Sequence, residues 1–207
     1  MRRCPTPLLV GLALLLLSVR AEAVDRYWDG GGALDNWGTG ANWRQLGVDD
    51  NVVPAAGDAV ILDHTFLGGA YSVIMNANSA LIASLTINTE NGTPGSITVD
   101  IDRALSVSGT LSITVDGSRK VDIRNVVTDT LRVDGAISIA SASTAGAVDF
   151  GVFSPSVDLV YDFDGADNLA ETADDATFSV GSNVAVTFRM TGLVDTILKS
   201  LSVLGGS

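Results

Sequence analysis

The sequence predicts an all-β protein, a right-handed parallel β-helix (β-solenoid) with an N-terminal Trp/Gly-rich cap; an antiparallel β-sandwich is the alternative. Three observations lead there. Asp outnumbers Glu twenty-one to three, beside 22 glycines and 5 prolines. Asp is a poor helix-interior residue and a good turn residue, so this composition describes many turns joining short elements. No segment outside the N-terminal apolar run carries a helical period. Finally, a unit of strand, glycine and strand that begins at Leu105 recurs from Leu131.

The first element is a secretory signal peptide over residues 1–23. Two arginines precede an apolar run from Leu8 to Leu17, and Ala21-Glu22-Ala23 supplies the small-x-small cleavage pattern. The run is too short for a membrane span, and polar, Gly-rich sequence follows it, so no span is expected in the mature chain. Cys4 precedes the apolar run, which argues against a lipoprotein box, and it departs with the signal. The mature protein, starting at Val24, then has no cysteine, and its stability rests on backbone pairing, core packing or bound ions. Cleavage removes three arginines and one glutamate, taking the net charge from -12 to -14. Nucleic acid, whose binding needs a basic footprint, is excluded as a partner.

Residues 24–58 form the expected cap. Trp28, Trp37 and Trp43 are spaced among Gly, Asn and Asp. The exposed end of a solenoid needs a cover, and a Trp-rich loop can supply one. The alternative function for these rings is stacking on sugars of an extracellular polysaccharide or cell-surface glycan. In Val60-Ile61-Leu62 the side chains cannot all share one face, which predicts a strand covered on both sides by the cap.

Residues 59–207 carry the coils. Leu105-Ser-Val107-Ser-Gly109 leads into Leu111-Ser-Ile113, and Leu131-Arg-Val133-Asp-Gly135 leads into Ile137-Ser-Ile139. Ser84-Leu85-Thr-Ile87 matches the first half, with Thr89 at the glycine position, and Leu201-Ser-Val203-Leu-Gly205 matches it again. Alternating apolar residues place one face inward and leave Ser, Thr and Asp to water. A unit of this size cannot bury its inner face alone and must stack on its neighbours. The right hand follows from the rule for parallel crossovers. Because the last copy stops at Gly205, the coils are expected to continue beyond Ser207 in a longer protein.

The W-x-G…NW…ANW opening, the P-x-x-G-D-x-V-x-I strand from Pro54 to Leu62, with Leu at its last position, and the Leu-rich coils resemble the start of large secreted bacterial β-helix proteins. These include the passenger regions of autotransporter-type adhesins. The P-x-x-G-D-x-V-x-I element is also similar to that of G8 domains of extracellular proteins. The resemblance implies a secreted, extracellular or cell-surface β-helix with periplasmic transit in a Gram-negative cell, and it carries over no active site.

Between two alternating runs lies an acidic loop, YDFDGADNLAETADD, at residues 161–175. Its carboxylates repel one another unless a cation joins them. Asp162, Asp164, Asp167, Asn168, Glu171, Asp174 and Asp175 supply the oxygen ligands that calcium prefers. The spacing does not follow the helix-loop-helix calcium motif, since Gly165 and Ala173 fall at positions four and twelve from Asp162. A solvated turn is the other reading, and calcium is the one cofactor the sequence suggests.

Catalytic chemistry has little to work with. The single histidine, His64, has no cysteine partner, no G-x-S-x-G elbow exists, and an ordinary turn residue is the expectation there. Two carboxylates on adjacent turns could hydrolyse a glycoside, and Asp102, Asp116 and Asp122 lie near repeat strands. Arg119, Lys120 and Arg124 form a basic cluster, either solvated beside Asp122 or facing an acidic polysaccharide. The balance is against an enzyme. The expected function is a secreted or cell-surface structural or adhesive β-helix, non-catalytic in this region; the alternative is a carbohydrate-binding module or a polysaccharide-degrading enzyme of β-helix type.

Overall fold

The computed structural model describes residues 23–115, 117, 119–125, 129–141, 146–152, 159–162, 177–180, 184–189, 196–199 and 202–205. The chain enters through β1 (Asp25–Trp28), a 3-10 turn (Gly40–Asn42) and β2 (Trp43–Arg44). Then follow β3 (Ala59–Leu62), β4 (Tyr71–Ile74), β5 (Ser84–Asn88), β6 (Ile97–Ile101) and β7 (Leu105–Val107). Next come β8 (Leu111–Val115), β9 (Lys120–Asn125), β10 (Asp129–Val133), β11 (Ile137–Ser141), β12 (Gly146–Val152) and β13 (Leu159–Asp162). The last are β14 (Thr177–Val180), β15 (Val184–Arg189), β16 (Thr196–Lys199) and β17 (Ser202–Gly205).

These strands build three sheets. The first runs β17-β14-β11-β8-β5-β3-β1-β2, the second β15-β12-β9-β6-β4, and the third β16-β13-β10-β7. Successive strands in the chain visit the sheets in turn, and among the described residues four coils place a strand in all three. Every named ladder is parallel except β1 with β2. The fold is a right-handed parallel β-helix, and the antiparallel sandwich is excluded. Among the described residues no helix is long and apolar enough to cross a membrane.

The core consists of columns of like residues. Val60, Leu85, Leu111 and Ile137 stack in one column of the first sheet, and Leu62, Ile87, Ile113 and Ile139 in the next. Val73, Val99, Ile123 and Phe150 do the same in the second sheet. All of these are buried. Branched aliphatic side chains suit a pleated, one-sided surface, and each fully buried one contributes about 1.5–3 kcal/mol. Ile61 differs from the expectation of a strand covered on both sides. Val60 and Leu62 face the core, whereas Ile61 points outward and is half-buried.

The glycine corners follow from stacking. A Cβ on Gly135 would lie 2.5 Å from the Gly109 carbonyl oxygen, and one on Gly109 2.4 Å from that of Ala83. The chain turns from third to first sheet here with no room for a side chain.

Register corrects two of the repeat copies. Leu85 pairs with Leu111, and Val203 with Phe178, so both lie in the first sheet after the corner and not in the third sheet beside Leu105. The L-x-I/V pattern is common to the strands on either side of the corner, so local sequence cannot separate them. Along the first sheet the spacing is nearly constant from Val60 through Leu85 and Leu111 to Ile137, and again from Phe178 to Val203. The step from Ile137 to Phe178 is far longer. That long interval contains the acidic segment, of which only residues 161 and 162, the end of β13, are among the described residues.

Candidate functional site

Three clusters of polar or aromatic side chains stand out among the described residues, and the cap holds the first. Trp28 and Trp43 meet edge to face at 5.0 Å, and Trp37 and Trp43 at 4.7 Å. The Trp43 Nε1–H donates to the Trp37 carbonyl oxygen at 2.7 Å, while the Trp28 and Trp37 indole nitrogens find no acceptor. Their exposures are 0%, 1% and 0% for Trp28, Trp37 and Trp43. Sugar stacking on these rings does not fit this placement, because their faces pack on one another and on the core. The intervals between the tryptophans are those of a folded plug.

Asparagine and aspartate organise that plug. Asn42 is fully buried; its Nδ2 donates to the carbonyl oxygens of Leu34 and Asn36, and its Oδ1 accepts from the Gly32 amide. The Trp37 amide donates to the Ile74 carbonyl oxygen at 2.8 Å, tying the plug to the second sheet. Asp58, from the P-x-x-G-D element, accepts from the Val24 and Ala55 amides and from Arg26 Nε. Arg26 also pairs with Asp50. Burial pushes the Asp50 carboxyl upward, but hydrogen bonds from Arg26 and Gln45 outweigh it and hold its pKa below the usual value. The P-x-x-G-D element is therefore a latch fastening β1 to the turn before β3.

The second cluster lies on the outer face of the second sheet. Asp122 and Asp149 are in register on adjacent strands, and Lys120 Nζ lies 2.6 Å from Asp122 and 2.7 Å from Asp149. One coil earlier, the Arg124 guanidinium takes both oxygens of Asp100 in a fork. Burial works against the Lys120 charge, yet the two carboxylates more than restore it and its pKa is raised. The Asp100 hydrogen bond leads the causes that raise Arg124, with burial opposing. Asp102 is raised by burial and by the charge of Asp100, and its buried Oδ1 has no hydrogen-bond donor. Lys120 and Arg124 are thus engaged by carboxylates of the chain's own coils.

Sequence reasoning misses Asp100 and Asp149 among the carboxylates it singles out. A signal exists, since Asp149 occupies the strand position of Asp122 one coil on. It is hidden because the step from Asp122 to Asp149 is longer than the step from Leu105 to Leu131 that defines the repeat.

The third cluster is the first corner between first and second sheets. His64 lies in the bend after β3 and is buried there, 3% exposed. Its Nδ1 lies 2.9 Å from the Leu67 carbonyl oxygen, and its Nε2 accepts the Gly95 amide at 3.0 Å. Asp63 accepts from the Thr65 amide, the Thr65 hydroxyl and Asn91 Nδ2. The Tyr71 hydroxyl donates to the Asp63 carbonyl oxygen, and burial followed by the Asp63 charge raises the phenol's pKa. No serine or cysteine hydrogen-bonds His64 among these contacts, and the group stitches two coils together.

Of the proposed calcium ligands, Asp162 ends β13 without a described side chain; Asp164, Asp167, Asn168, Glu171, Asp174 and Asp175 lie outside the described residues, as does Asp116. No group of three or more His, Cys, Asp or Glu arranged to hold a metal occurs among the described residues. No family model, curated protein or solved structure matches this chain.

Proposed function

We propose that this chain is a secreted or cell-surface structural protein, a capped β-helix that presents an adhesive or display surface without catalysing a reaction in this region. The observation that carries it is the charged face of the second sheet. There Arg124 clasps Asp100 and Lys120 clasps Asp149, each across neighbouring coils, and Lys120 also holds Asp122 of its own strand. Such pairs stiffen a rod and leave little charge to act on a substrate. An extracellular polysaccharide or cell-surface glycan is the partner this reading allows.

The alternative, a polysaccharide-degrading β-helix enzyme, is favoured by one feature. Asp122 and Asp149 face outward side by side, and neighbouring strands lie about 4.7–4.9 Å apart, close to the separation of retaining glycosidase carboxylates. Lys120 weighs against it, because its ammonium group bridges both carboxylates and takes the oxygens that an acid and a nucleophile would turn toward a glycoside. The test is incubation of the whole secreted chain with a panel of acidic and neutral insoluble polysaccharides, following retention on the polymer and release of new reducing ends. The structural and adhesive reading expects no release. Release that disappears in Asp122→Asn and Asp149→Asn would replace it with the enzyme.

A further inference from the structure

At the first corner, the loop after β3 and the loop after β5 lie one on the other. The Gly69 amide donates to the Thr93 carbonyl oxygen at 3.0 Å, and the Tyr71 amide to that of Ser96 at 3.1 Å. On the solvent side the Asn91 side chain reaches across the two loops. Asn91 Nδ2 donates to Asp63 Oδ2 and to Thr65 Oγ1, each at 2.8 Å. Asn91 is exposed, and Asn91-Gly92 is the one Asn-Gly pair in the sequence. The Gly92 amide donates no hydrogen bond among the described residues, and Gly92 is itself exposed.

We propose that Asn91 is a site of spontaneous deamidation and that its conversion unlatches this corner. The Gly92 backbone nitrogen gives up its proton and bonds to Asn91 Cγ. The Cγ–Nδ2 bond breaks, and the amide nitrogen leaves as ammonia carrying that proton. Water then opens the five-membered imide at either carbonyl, yielding an aspartyl or an isoaspartyl residue. Solvent water is the one co-reactant, and nothing is oxidised or reduced.

The product reverses the sign of the contact. An amide nitrogen has two donors, whereas a carboxylate is acceptor-only, so both hydrogen bonds disappear. The new negative charge faces the carboxylate of Asp63, which is 4% exposed and has little water to screen it. The isoaspartyl form also lengthens the backbone where the loops stack. His64, adjacent to Asp63, holds Gly95 in the same loop, so loosening reaches the β4 and β6 ends of the ladder. The change runs one way and is driven by hydroxide, which suits a persistent extracellular protein more than one renewed quickly.

The experiment holds the folded full chain at mildly alkaline pH, maps peptides with separation of aspartyl and isoaspartyl forms, and follows amide hydrogen exchange over residues 63–71. Conversion at Asn91 is expected well ahead of exposed Asn78, which precedes Ser79. Exchange over 63–71 is expected to quicken in the converted protein and in Asn91→Asp, while Asn91→Gln stays unconverted. Gly92→Ala is unsuitable as a control, since its Cβ would meet the His64 carbonyl oxygen at 1.9 Å. Three results would overturn the proposal. They are an intact Asn91 in the folded chain over a period in which the urea-unfolded chain converts, a sugar mass on Asn91 within Asn91-Gly92-Thr93, or unchanged exchange in Asn91→Asp.

Discussion

The Trp43 indole donates its proton to the carbonyl oxygen of Trp37 at 2.7 Å, and the two rings meet edge to face. One side chain therefore closes the loop backbone and fills the end of the core. Trp43→Ala removes both and leaves a cavity against Trp28. Large aromatic truncations in a core cost about 3–5 kcal/mol. Chemical denaturation of the variant should show a stability lowered by that much, and a loss below about 1 kcal/mol would mean that the cap does not contribute to the cooperative core.

Lys120 separates two aspartates that the ladder places directly beside each other. Lys120→Met keeps the length of the side chain and removes the charge. Like charges opposite one another on neighbouring strands are destabilising by up to about 1 kcal/mol. Stability should fall by that order, and Asp149→Asn in the same chain should recover most of it. Failure of the second change to recover stability would show that Lys120 acts through packing of its stem.

Stability should decline at both ends of the pH scale for opposite reasons. The Asp50 carboxyl is depressed in the folded chain, so its contribution is present above the ordinary carboxylate value of about 3.9 and is lost as pH falls through the depressed one. Lys120 is raised, so its contribution is present below about 10.4 and is lost as pH rises through the raised value. Thermal midpoints across pH check this. Asp50→Asn should flatten the acid limb alone, and an unchanged acid limb would place its cause elsewhere.

Calcium is tested by melting the chain in millimolar calcium and again in EDTA. Saturation at a hundredfold excess over the dissociation constant adds about 2.7 kcal/mol to the folded state. For a domain of this size that shifts the midpoint by about 5–10 °C. A shift that vanishes in Asp164→Ala or Asp167→Ala assigns the ion to the acidic segment. Equal midpoints in both buffers return that segment to a solvated turn.

The sequence by itself determined the parity of each strand, the strand-glycine-strand unit and the glycine at the corner, because these rest on a period of two and on sterics between a residue and its near neighbours. Leu111 and Ile113 point inward whatever lies beside them, and Gly135 admits no side chain once coils stack. Only the tertiary structure decided which coil position each copy occupies. In the second sheet the steps from Val73 to Val99, from Val99 to Ile123 and from Ile123 to Phe150 are all unequal, and in the first sheet the step from Ile137 to Phe178 is longer than any of them. A one-residue slip in such an interval exchanges the inner and outer faces. That choice brings Asp149 beside Asp122, sets Leu85 on Leu111 and folds three tryptophans into the end of the core, and it is made by the energy of whole columns of side chains and not by any local pattern.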